Sequence, residues 1–177
     1  MTTLLRKCWP VFILTLFIGK TTLAQNQYEV LVEGTNEKSL KGILSRQVLE
    51  TDSTFTWYAE SQKIYTPNAE AVEAIKKQVD SIHFVVFIGT WCEDSHFVIP
   101  RFYSLIDAAG FPSAKVTLIG VDRAKTTLGH LEKVFKITEV PTIIPIKNGK
   151  ELGRVVEYGK EGLFDKELGE IISGSNK

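Results

Sequence analysis

Two rhythms of apolar positions organise most of the chain. Residues 82–89 are almost continuously apolar, and Val116 to Val121 repeats that character, so both read as strands buried on two faces. Between them, residues 93–109 keep helical spacing and stop at Gly110. Upstream, Val72, Ile75 and Val79 line a helix for which Thr66 is the expected cap and Pro67 the first helical residue. Ile64-Tyr65 reads as a short strand before it. Leu128, Leu131, Val134 and Phe135 give a further helical face. Thr142 to Ile146 and Leu152 to Tyr158 read as strands joined across Asn148-Gly149, a hairpin dipeptide. Leu163, Leu168, Ile171 and Ile172 line a last helix. The order β-α-β-α-β-α-β-β-α implies parallel strands with crossover helices and an antiparallel edge. The expected product is an α/β fold, a mixed sheet with helices on both faces. Pro145 removes a ladder donor inside its strand, so a bulge or an unbonded edge is expected there.

Residues before 63 follow a looser pattern. Residues 28–34 read as a short strand. Leu40, Ile43, Leu44, Val48 and Leu49 have partly helical spacing, so residues 38–60 are expected to form short helices. Phe55, Trp57 and Tyr58 form an aromatic cluster best explained as core. At the start, Arg6 and Lys7 precede an apolar stretch from Cys8 to Ile18, and Leu23-Ala24 offers a small-residue cleavage site. That stretch is shorter than the roughly 20 residues of a membrane span. The expected organisation is a signal peptide at 1–24, an N-terminal extension at 25–62 and one domain at 63–177. The mature protein would be exported, periplasmic or secreted in a bacterium, with no membrane span.

Export changes the charge and the cysteine count. The whole chain has 177 residues, 21 basic and 21 acidic. Losing Arg6, Lys7 and Lys20 leaves 18 basic against 21 acidic, a formal charge of −3. No basic patch remains to suggest nucleic acid. Cys8 also leaves, so Cys92 becomes the one thiol, free or paired with another molecule.

Cys92 sits in Trp91-Cys92-Glu93-Asp94-Ser95, where a buried strand ends and a helix begins. A helix N-terminus favours a thiolate through its unpaired N–H groups and dipole. Ser95 stands where the second cysteine of Cys-x-x-Cys would be, and its hydroxyl is a candidate donor to the sulfur. Glu93 and Asp94 oppose thiolate formation and at the same time suit the helix dipole. His96, one turn on, is a candidate imidazolium partner or proton donor. Metal binding is not expected, because His83 and His130 lie far away in sequence.

These residues carry a resemblance to the thioredoxin superfamily over residues 63–174. Trp91-Cys92 follows the central strand, Pro100 lies eight residues after Cys92, Val140-Pro141-Thr142 matches the segment bearing the family's cis-proline, and a hairpin and helix complete the end. The resemblance implies a thioredoxin-like three-layer fold. It also implies that Val140, Pro141 and Thr142 flank the nucleophile, with the Val140 backbone pairing to a bound chain. Three departures matter, the first being Glu93-Asp94 in place of the small or neutral pair common between the family's two cysteines. Ser95 replaces the resolving cysteine, and Val86 occupies the place of a buried aspartate that assists proton transfer. Cys92 can therefore form mixed disulfides but needs an external thiol, from a protein or a small molecule, to resolve them. Catalysis by Cys92 with Ser95, aided by Trp91, Glu93, Asp94 and His96, is one reading. A redox-silent module that binds partner polypeptides at Val140-Pro141 is the other. Neither needs a cofactor. A monothiol glutaredoxin fits poorly, since Glu93-Asp94 would repel an anionic tripeptide.

Overall fold

The computed structural model describes residues 27–33 and 37–175. The expected signal peptide lies outside the described residues, as does Gly34 at the end of the first expected strand. The strands are β1 (Tyr28–Glu33), β2 (Glu37–Leu44), β3 (Ile82–Ile88), β4 (Val116–Gly120), β5 (Thr142–Lys147), β6 (Lys150–Glu151) and β7 (Val155–Val156). The helices are α1 (Arg46–Thr51), α2 (Thr56–Lys63), α3 (Ala69–Lys77), α4 (Glu93–Ala108), α5 (Leu131–Val134) and α6 (Phe164–Ser173). All strands join one mixed sheet in the order β1-β2-β4-β3-β5-β6, with β7 also on β5.

Strand β3 is the centre of this sheet. It pairs parallel with β4 on one side and antiparallel with β5 on the other. Ile82, Phe84, Val86 and Ile88 point into the main core, formed with α1, α2, α3, α4 and α6. Phe87 points to the opposite face, into a smaller cluster with Ile119, Val121, Ile137, Val140 and Ile144. The three layers are therefore uneven. Most helices cover one face, and short α5 covers the other.

Several sequence expectations need correction. Residues 37–44 form β2 rather than a helix, while helices do follow at α1 and α2. Ile64-Tyr65 is not a strand: Ile64 ends α2 and is 80% exposed. Strand β2 instead lies beside β4, running antiparallel to it, so β3 and β4 are the one parallel pair among the described strands. Helix α3 starts two residues later than expected. Asn68, not Thr66, is its cap, accepting from the Ala71 N–H at 3.0 Å, while Asp165 accepts from the Asn68 N–H. The helix expected from Leu128 shrinks to a 3-10 turn and α5, because Gly129 and His130 take left-handed backbone angles. Val134 is 70% exposed and lines no core. Leu163 likewise lies outside α6 as its N-cap residue.

The Asn148-Gly149 turn has positive φ at both residues, as a two-residue hairpin requires. Its second strand is broken into β6 and β7. Pro145 explains where. Its carbonyl accepts from the Leu152 N–H at 3.0 Å, so its nitrogen also faces that side of β5, where residues 152–154 leave the ladder. On the opposite side of the sheet, Gly120 lets β4 approach β2. A Cβ on Gly120 would lie 2.2 Å from the Leu40 carbonyl oxygen, a backbone atom that cannot swing aside. Gly120→Ala is expected to cost on the order of 3 kcal/mol or more. Urea denaturation would read this as a lower midpoint, and an unchanged midpoint would refute the close approach.

Candidate functional site

Strand β3 ends at Ile88, and the chain turns over Gly89 and Thr90 into α4. The Cys92 N–H donates to the Gly89 carbonyl at 2.9 Å, which closes this turn. Gly89 is needed here because Trp91 folds back over it: an added Cβ would lie 2.8 Å from the indole. The indole N–H donates to the Val121 carbonyl at 3.0 Å, and Arg123 lies 5.2 Å from the ring centroid, in cation–π range. Trp91 thus ties the turn to the end of β4.

Cys92 is the N-cap residue of α4 and is partly exposed. Its Sγ donates to the Val140 carbonyl at 3.3 Å. The Val140–Pro141 peptide bond is cis. Val140, Pro141 and Thr142 are buried, and the Thr142 hydroxyl donates to the Glu139 carbonyl at 2.7 Å. The sequence-derived nucleophile and the sequence-derived loop therefore meet through the Val140 carbonyl. Val86 sits in the main core, so the usual carboxylate position is apolar.

The other residues near the thiol divide by what they touch. Ser95 is completely buried, and its Oγ accepts from the Gly89 N–H at 3.2 Å. That contact pins the turn to the first turn of α4. Glu93 is exposed to solvent. His96 turns toward the N-terminal segment: its Nε2 lies 2.7 Å from the Thr90 carbonyl, and its ring stacks on Trp57 at 4.2 Å and 16°. Asp94 accepts from the Tyr158 hydroxyl at 2.8 Å through Oδ1.

Pro100 shapes the helix behind the thiol. It has no N–H, so the His96 carbonyl four residues earlier loses its helical donor. The Ser61 hydroxyl of α2 supplies one at 2.9 Å. Thr90 is held from the same segment, accepting from the Leu40 N–H at 3.0 Å and donating to the Lys38 carbonyl at 3.1 Å. Residues 38–61 therefore brace the thiol-bearing turn, a role not visible in their sequence.

Tyr158 is the main residue of the candidate site that sequence reasoning missed. The Glu157 N–H donates to the Pro141 carbonyl at 2.7 Å, which brings the following tyrosine beside α4. Its ring meets Phe97 edge-on at 5.1 Å, and the Arg101 guanidinium lies 3.3 Å from the Phe97 centroid. Burial and the bond to Asp94 raise the Tyr158 phenol to about 12. Its 64-residue separation from Asp94 leaves no local signal to find. Among the described residues no cluster of His, Cys, Asp or Glu could hold a metal ion, and no helix is long and apolar enough to cross a membrane.

The thioredoxin family model matches residues 63–168. Thioredoxin H2-2 of Oryza sativa subsp. japonica is 29% identical over 130 residues, spanning 73% of this chain and 84% of that protein. A thioredoxin of Echinococcus granulosus is 28% identical over 104 residues, spanning 52% of this chain and 92% of its own length. Among solved structures, an HIV epitope scaffold is similar in fold, with a TM-score of 0.50 at 14% identity over 72% of this chain and 89% of that one. With the family match covering more than half of its residues and the mixed sheet placing Cys92 beside the Val140–Pro141 bond, the chain belongs to the thioredoxin family, whose general chemistry is thiol–disulfide exchange.

Proposed function

We propose that the protein is an exported thiol–disulfide exchange or isomerisation catalyst that works with one nucleophile, Cys92. The observation that carries this reading is the placement of the Cys92 thiol: partly exposed, at the N-cap of a long helix, and 3.3 Å from the carbonyl of Val140. The thiolate attacks a partner disulfide and forms a mixed disulfide, releasing the partner's other sulfur as a thiolate. Val140 and Pro141 line the seat for the partner chain. Ser95 has no sulfur with which to resolve the adduct, and its Oγ is occupied inside the turn. An external thiol therefore completes each cycle, regenerating Cys92.

Reduction of insulin, with a small thiol supplied, tests the assignment. Cys92→Ala is expected to abolish turnover above the uncatalysed rate. Full turnover in that variant would end the proposal. Binding of client polypeptides retained without any turnover in either protein would favour a non-catalytic binding module at Val140-Pro141.

The N-cap and third helical positions place their side chains near one another, as capping boxes do. Ser95→Cys is accordingly expected to form an internal disulfide with Cys92 and to raise dithiol reductase activity. Oxidation only between chains would contradict that geometry. Export rests on Arg6, Lys7, the apolar stretch from Cys8 to Ile18 and the Leu23-Ala24 site. The expected mass of the exported protein is that of a chain beginning at Gln25, and a retained Met1 would overturn cleavage.

A further inference from the structure

A lone-cysteine cycle has a proton problem at its second step. The external thiol must lose its proton as it attacks the mixed disulfide, and a neutral thiol is a weak nucleophile. The apolar Val86 offers no acceptor. We propose that Tyr158 and Asp94 form a proton relay that takes this proton, standing in for the missing resolving apparatus. This inference rests on the reading of Cys92 as an exchange nucleophile.

The geometry has three parts. The Tyr158 hydroxyl already donates to Asp94 Oδ1 at 2.8 Å, so one proton is aligned along a path to a carboxylate. Asp94 lies in the first turn of α4, two residues from the sulfur. Phe97 holds the ring edge-on, and Arg101 stacks on Phe97 with its Nη1 bonded to the Phe97 carbonyl at 2.8 Å. The phenol is thus fixed by packing as well as by its hydrogen bond.

The charged groups around the phenol are consistent with this role. From α4, Asp94 favours its protonated form, and Arg101 opposes it weakly. From α6, Glu167 is turned to the Lys160 N–H, at 2.7 Å. Glu157 precedes Tyr158 in the chain. The phenol remains a proton donor throughout the neutral range and can relay but not lose its proton.

In the step itself, the external S–H proton passes to Tyr158 Oη while the Oη proton passes to Asp94 Oδ1. The external sulfur bonds to the client sulfur, and the bond between client and Cys92 breaks. Cys92 leaves with the electron pair as thiolate. The relay then runs backwards and returns the proton to Cys92. The external thiol ends in a disulfide with the client, the Cys92 side of the mixed disulfide is reduced to the thiol, and no further oxidant or reductant is needed.

The test uses the full chain carrying Cys8→Ser, with Cys92 loaded as a mixed disulfide to a dansyl-labelled cysteine peptide. Release by 2-mercaptoethanol is followed by fluorescence anisotropy. At about pH 7, Tyr158→Phe and Asp94→Asn are each expected to slow release about tenfold. At about pH 10, where much of an alkyl thiol is already ionised, the deficit should disappear. Equal rates at neutral pH, or a deficit of the same size at both pH values, would overturn the relay, the second outcome marking a packing role only. Both variants keep the shape of the original side chain, and circular dichroism checks their fold. Failure of Cys92 to accept the peptide at all would instead remove the exchange reading, and the relay with it.

Discussion

Burial of β3 on both faces is the constraint on which the site depends. Ile82, Phe84, Val86, Phe87 and Ile88 are fully excluded from solvent, and each such side chain contributes about 1.5–3 kcal/mol. The strand is hydrogen-bonded to neighbours on both edges, so it has little freedom to slide or twist. A one-residue slip would exchange its two apolar faces. Its end is consequently a fixed point, and the four residues after it deliver a thiol to the same place each time. The buried Ser95 Oγ on the Gly89 N–H then fixes how the helix leaves that point.

A second set of contacts works from outside the thioredoxin-like core. Pro100 frees a carbonyl in α4, and Ser61 occupies it. Trp57 stacks on His96, and Thr90 is bonded on both sides to the β2 backbone. Each bond is modest, worth about 1 kcal/mol net. They converge on one helical turn, and their joint effect is positional. His96 participates in this bracing, which accounts for its place near Cys92 in sequence and its contacts with Thr90 and Trp57 in space.

The elements legible in the sequence were those with one dominant period. Strands β3 and β4 are continuous apolar runs, and α4 and α6 carry long helical faces. Strand β2 resembles a helix in sequence because Leu40 and Leu44, both buried, are four residues apart. That spacing satisfies a strand period of two and is also close to one helical turn. Val48 and Leu49, which do lie in α1, continue the same spacing. At the site, Cys92, Ser95 and Val140-Pro141 were legible because local motifs carry them. Tyr158 and Trp57 were not, since their roles arise from contacts across the fold, as in the 39-residue step from Trp57 to His96.

The bracing of α4 by Ser61, Trp57 and the β2 backbone separates two boundaries that are easily equated. The family match begins at residue 63, but the sheet that carries the site extends back through β2. A fragment cut at that match would keep every residue of the thiol motif and still lose the donor to the His96 carbonyl. It would also uncover the β4 edge that β2 pairs with, an invitation to strand-to-strand association. Any transplant of this thiol site into another thioredoxin scaffold must therefore carry its preceding segment as part of the graft.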